Sequence, residues 1–140
     1  MLIVLLSCLM NMAIAGTPVQ LRAADGSAVH ANGAVVGGST KGVVLAHMLG
    51  RDARDWDYLS KRLTSVKLST IAVDLRGHGK SAKTGTELSE ADYKSMVQDL
   101  AAGVAWLRKN GAKEVSCVGA SIGANLCAQL GAQDPAIVNL

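Results

Sequence analysis

The sequence has no phenylalanine, and its aromatic residues are only Trp56, Tyr58, Tyr93 and Trp106. A platform on which successive bases stack therefore has almost no rings to build it. A strong charge of one sign is also missing: 14 Lys and Arg stand against 11 Asp and Glu, a net charge of +3. The cations are scattered, densest at Arg51–Arg54 and Arg108–Lys109, as on a solvated face and not along a phosphate-tracking stripe, so no nucleic-acid partner is expected. Cysteine and histidine are scarce, three of each. His30, His47 and His78 are isolated from one another and no His or Cys pair has metal-ligand spacing, so no metal site is expected. Cys117 and Cys127 lie in apolar stretches and read as buried free thiols, since two cysteines do not make a disulfide framework. Nor is there an apolar run long enough to span a bilayer, which leaves no stable membrane anchor. With 49% hydrophobic and 18% charged residues, the chain has the apolar surface for one folded domain, and disorder is excluded.

Residues 1–15 form an apolar, uncharged stretch ending in Ala13-Ile14-Ala15 before Gly16. The small-x-small ending suits a signal-peptidase site, although no Lys or Arg precedes the run. The expectation is an export signal over 1–15, with a periplasmic or secreted domain over 16–140; a cytoplasmic chain with a buried first strand is the alternative.

Beyond residue 16, two strands over 19–24 and 28–36 flank the Asp25-Gly26 turn as a hairpin. Short apolar runs at 42–46, 70–73 and 115–118 read as strands buried on both faces. Between them lie helical patterns: Trp56, Leu59, Leu63 and Val66 in the first, and Tyr93, Val97, Leu100, Val104 and Leu107 in the second. The second helix is capped by Ser89 with Asp92 and stopped by Asn110-Gly111. A further helix over 122–133 ends at Asp134-Pro135, and 136–140 begins another strand. Alternating buried strands and amphipathic helices predict an α/β fold, a mostly parallel sheet with helices on both faces and an antiparallel hairpin at its start. Chemistry in such sheets gathers at the C-terminal ends of the strands.

Three strand-end loops stand out. Gly119-Ala120-Ser121-Ile122-Gly123 is a G-x-S-x-G pattern at a strand–helix junction, where a tight turn would lift the Ser121 hydroxyl above the sheet. Gly119 and Gly123 leave room for that turn, and the Ile122 amide can face a developing oxyanion. In His47-Met48-Leu49-Gly50, the Met48 or Leu49 amide could be the second oxyanion donor, with His47 bracing the loop. In Asp74-Leu75-Arg76-Gly77-His78-Gly79-Lys80-Ser81, the residues Asp74, Arg76 and His78 read as a hydrogen-bonded brace. Its G-K-S lacks the glycine a P-loop requires at position 74, and G-x-G-x-x-G fails at Ser121, so no nucleotide cofactor is expected.

Together these loops resemble the α/β-hydrolase superfamily, in the flavour of its serine esterase, peptidase and dienelactone-hydrolase-like branches. The resemblance implies a serine hydrolase with Ser121 as nucleophile, acting on a small-molecule ester or amide without a cofactor. It also implies a triad in the order Ser, Asp or Glu, His. After Ser121 there is one acid, Asp134, at the far end of a helix, and no histidine. Judged against the family, the chain stops within the sixth of eight strands, so both triad partners and the lid would lie beyond it and these 140 residues alone would be inactive. A non-catalytic binding protein on the same fold is the alternative.

Overall fold

The computed structural model describes residues 13–81 and 87–139. The expected export signal therefore falls almost entirely outside the described residues. The strands are β1 (Thr17–Arg22), β2 (Ala28–Ala34), β3 (Lys41–Ala46), β4 (Ser69–Val73), β5 (Glu114–Gly119) and β6 (Ile137–Asn139). A 3₁₀ turn at Ala53–Trp56 leads into helix α1 (Asp57–Ser65); α2 covers Glu90–Lys109 and α3 covers Ile122–Gln133.

All six strands form one sheet in the order β1-β2-β4-β3-β5-β6. The pairs β1–β2 and β2–β4 are antiparallel, and every pair from β4 to β6 is parallel. The hairpin turns where expected, with Gly26 at φ 88° and the Asp25 carboxylate accepting from the Ser27 amide. The second strand stops at Ala34, two residues short of the expected end.

Each face of the sheet carries its own core. On one, α2 and α3 cover Val29, Val44, Ile71, Val73, Val115 and Cys117; on the other, α1 covers Val43, Leu45 and Ala72. Ser89 caps α2 as predicted: its hydroxyl accepts from the Asp92 amide, and the Asp92 carboxylate accepts from the Ser89 amide. Such a cap contributes about 1 kcal/mol. The buried stripe of α2 is Met96, Val97, Leu100, Gly103, Val104 and Leu107. Gly103 permits close approach, since a Cβ there would sit 3.0 Å from a Val73 methyl. Tyr93, expected in this stripe, is exposed: it lies in the first turn, before the helix reaches the sheet. Val66 is likewise exposed because α1 has already ended at Ser65, and Leu68 packs on the core after the Lys67 turn.

One expectation is overturned. Cys117 and Cys127 are joined in a disulfide, with Cα atoms 5.5 Å apart, rather than buried as free thiols. Cys117 points from β5 toward α3, and Cys127 on α3 points back into the same core. Closing a loop of this length stabilises by about 3 kcal/mol in the chain-entropy account. Among the described residues no helix is long and apolar enough to cross a membrane.

Candidate active site

The sheet order creates the site. The chain passes from β3 to β4 on one side and returns to β5 on the other, so the loops after β3 and β5 diverge and leave a crevice at the strand ends. In the β3–β5 register Ala46 lies opposite Gly119, which places His47-Met48 beside Ala120-Ser121. The Ala120 amide donates to the Ala46 carbonyl at 3.1 Å and ties the two loops together.

Ser121 stands between β5 and α3 with φ 54° and ψ −119°. Those angles match the first central position of a type II′ turn, which glycine ordinarily fills. Holding a serine there costs about 1–3 kcal/mol. The surroundings enforce it. A Cβ on Gly119 would fall on the Gly123 carbonyl carbon, and one on Gly123 would fall on the Ala46 carbonyl oxygen. Only glycine fits at either position, so strand, turn and helix close on one another. Ser121 itself is exposed, at the N-terminus of a 12-residue helix whose first amides carry partial positive charge. Ile122 opens that helix; its amide has no intrahelical carbonyl to meet.

The loop after β3 forms the other side. Met48, Leu49, Gly50 and Arg51 make a tight turn: the Arg51 amide donates to the Met48 carbonyl at 3.1 Å and Gly50 takes φ 74°. His47 is 1% exposed and uses both ring nitrogens. Nδ1 lies 2.7 Å from the Met48 carbonyl, and Nε2 accepts from the Leu75 amide at 3.0 Å. One nitrogen must carry a proton and the other must not, so this ring is neutral with its proton on Nδ1. Burial pushes the His47 pKa down, against the Met48 carbonyl, which favours the charged form. His47 therefore grips the Met48 carbonyl, and the Leu49 amide of the same peptide plane points the opposite way. Met48 and Leu49 are 42% and 52% exposed. Among the described residues, no loop hydrogen bond engages the amides of Met48, Leu49 or Ile122.

A cleft of about 140 Å³ opens beside the elbow, lined by His47, Met48, Asp55, Trp56 and Ala120. Among the described residues the buried Trp56 Nε1 has no acceptor. A larger cavity, about 410 Å³, is lined by His30, Asn32, Asp52, Ala53, Arg54, Asp74, Gly79 and Lys80 and includes neither Ser121 nor the turn after β3.

The loop after β4 is the brace its sequence suggests. The buried Asp74 carboxylate accepts from the Ala53 amide at 2.7 Å, the Lys80 amide at 2.8 Å and His30 Nδ1 at 2.9 Å. The Ser81 hydroxyl donates to the Asp74 carbonyl and accepts from the His30 amide. Arg76 is clamped by Asp99, which accepts from both the Arg76 side chain and its amide, and by Asp25 at 2.7 Å. The Asp99 and Asp25 carboxylates hold the Arg76 pKa above the ordinary arginine range. His78 Nδ1 lies 3.0 Å from the Arg76 carbonyl. The sequence pattern does not single out Asp99; its place among the apolar positions of α2 is the signal by which a buried cation could have been found.

All three histidines are buried: His47 uses both ring nitrogens, His30 and His78 are bonded through Nδ1, and among the described residues no hydrogen bond joins any of them to Ser121, while Asp134 pairs with Arg108 at 2.8 Å at the far end of α3. The described residues bring a hydroxyl and candidate oxyanion donors together, without a base. They hold no group of three or more His, Cys, Asp or Glu placed to bind a metal.

Sheet order, crossovers and the strand–elbow–helix unit define an α/β-hydrolase fold. Residues 38–140 match the family described as serine aminopeptidase, S33, and the chain belongs to that family. It is 30% identical over 104 residues to an uncharacterised protein of Mycobacterium tuberculosis, covering 74% of this chain and 28% of that one. The chain thus spans little more than a quarter of the curated relatives it matches. An esterase of Pyrococcus furiosus superposes with a TM-score of 0.70 at 23% identity, covering 85% of this chain and 47% of the esterase. An epoxide hydrolase from an endophytic Streptomyces gives a TM-score of 0.72 at 21% identity, covering 89% and 35%. Those two likenesses bear on the fold alone.

Proposed function

We propose that this chain is the nucleophile-bearing part of a serine hydrolase that transfers an acyl group from a small-molecule ester or amide to water. The observation that carries the reading is the Ser121 backbone, an exposed serine forced into a glycine-like conformation at a helix N-terminus. The Ser121 oxygen attacks the substrate carbonyl carbon, and the carbonyl π electrons move onto oxygen. That oxyanion sits at the amides of Ile122 and of Met48 or Leu49. The acyl-serine forms as the alcohol or amine leaves, and water then releases the acid.

The proton from Ser121 needs a base, and among the described residues no histidine is hydrogen-bonded to Ser121: all three are buried, and His47 has both ring nitrogens engaged. In our reading a histidine and an acid from further along the longer protein supply it. Export remains part of the proposal, supported by the Ala13-Ile14-Ala15-Gly16 boundary and by a disulfide, which persists in oxidising compartments.

The test is hydrolysis of an activated aryl ester. The 140-residue chain should show no turnover above its Ser121→Ala variant, whereas the longer protein should hydrolyse the ester and lose that rate with Ser121→Ala. A Ser121-dependent rate from the 140 residues alone, or a longer protein indifferent to Ser121→Ala, contradicts the reading.

A further inference from the structure

Cys117 and Cys127 lie within the strand–turn–helix unit that carries Ser121, one on each side of it. Along β5, residues 117 and 119 share a face of the pleat; along α3, residues 123 and 127 lie one turn apart on one face. Strand and helix therefore meet at two levels. At the upper level Gly119 abuts Gly123 with no space for a Cβ on either. At the lower level the Cys117–Cys127 bond joins the same two elements covalently, and both residues are buried in the core.

We propose that this disulfide is a positioning clasp for Ser121. The serine occupies a backbone conformation that L residues avoid, so the turn relaxes whenever β5 and α3 can part or slide. The glycine level blocks compression sterically but opposes separation only through dispersion and burial. The cross-link opposes it covalently, one helical turn below the strained residue. Its role in catalysis rests on the serine-nucleophile reading, whereas its hold on the backbone does not.

The bond forms by thiol–disulfide exchange with a disulfide oxidant. The two cysteine thiols lose two electrons and two protons, and the oxidant's disulfide becomes two thiols. Once the core has closed over both sulfurs, a dithiol reaches them only in locally opened molecules. The clasp is thus set during folding and is not a switch worked in the native state. Chain folded in a reducing compartment would carry a loose elbow until it reopened in the presence of an oxidant.

Three measurements test this. Alkylation of the unfolded, unreduced protein followed by peptide mapping should leave Cys117 and Cys127 unlabelled and linked. Hydrogen exchange should then compare oxidised protein with protein refolded in dithiol and with the Cys117→Ala/Cys127→Ala and Cys117→Val/Cys127→Ala variants. Amides of residues 120–125 should exchange at least about tenfold faster without the bond, while those of β3 change much less. In the longer protein the same variants should lower kcat by about tenfold or more with KM within about twofold, the signature of a misplaced nucleophile. Free thiols in the oxidised protein, or exchange that rises equally in β3 and the elbow, would overturn the clasp. So would an unchanged kcat in variants whose elbow has loosened. If the exchange result holds but Ser121→Ala leaves hydrolysis intact, the nucleophile reading fails and the backbone clasp stands.

Discussion

Two loops at the same end of the sheet solve the same backbone problem in opposite ways. The loop after β4 needs positive φ twice and assigns both positions to glycine, Gly77 at 75° and Gly79 at 51°. The loop after β5 needs it once and assigns it to Ser121 at 54°. In the first loop the Asp74, Arg76 and Ser81 side chains are buried and all have partners. In the second, Ser121 is exposed and strained, and among the described residues no loop hydrogen bond engages the Ile122 amide beside it. Lys67 also has positive φ, yet it lies just past the end of α1, where a left-handed residue is routine. What the contrast teaches is that one loop is organised to hold shape, and the other spends stability to present a hydroxyl. Proteins depart from their own local rules mainly where function requires it.

The largest effect should come from breaking the brace. Asp99→Ala removes a fully buried carboxylate and leaves the Arg76 guanidinium with Asp25 as its remaining ion-pair partner. Removing one member of a buried pair costs about 3–5 kcal/mol, a large share of the roughly 5–15 kcal/mol that holds a domain together. Chemical denaturation should show this loss; a change below about 1 kcal/mol would mean that the brace carries little.

A single type of substitution should have opposite signs in the two loops. Ser121→Gly relieves strain and should raise stability by about 1 kcal/mol, after allowance for the extra freedom glycine has when unfolded. Ser81→Gly deletes the hydroxyl that donates to the Asp74 carbonyl and accepts from the His30 amide, and should cost about 1–3 kcal/mol. Denaturation midpoints of the pair give the comparison directly. Equal signs would erase the distinction between the loops.

The smallest effect is a pH dependence at their junction, where His47 joins the Met48 carbonyl to the Leu75 amide. Burial lowers its pKa from 6.5, so within the window just below 6.5 the unfolded chain binds the proton and the folded one does not. Stability is complete above that value and declines as pH falls through the window. The shifted carboxylates act in a more acidic range; hydrogen bonding to Arg54 holds Asp52 at about 2. A His47 ring that titrates at or above 6.5 by NMR would contradict the neutral, doubly bonded imidazole.

Much of this was legible in the sequence for definite reasons. Period-two and apolar patterns located the strands, Ser89 with Asp92 marked the start of α2, and the glycines around Ser121 gave the elbow a steric reason. Helix ends misled, since Tyr93 and Val66 keep the helical phase but lie where the helix has not reached, or has already left, the core. The Cys117–Cys127 link was hidden because it depends on the phase of a strand and of a helix at once. Spacing along the chain reports neither. The Arg76–Asp99 pair was hidden for a related reason: a periodic reading weighs apolar positions and passes over an acid at a buried one.

The central claim is that Ser121 is a poised nucleophile, and a fluorophosphonate that phosphorylates activated serines tests it most directly. In the longer protein, peptide mapping should find the phosphonyl group on Ser121, with ester hydrolysis lost in proportion to labelling. Labelling of another residue, or intact Ser121 in an enzyme the reagent has inactivated, would contradict the account.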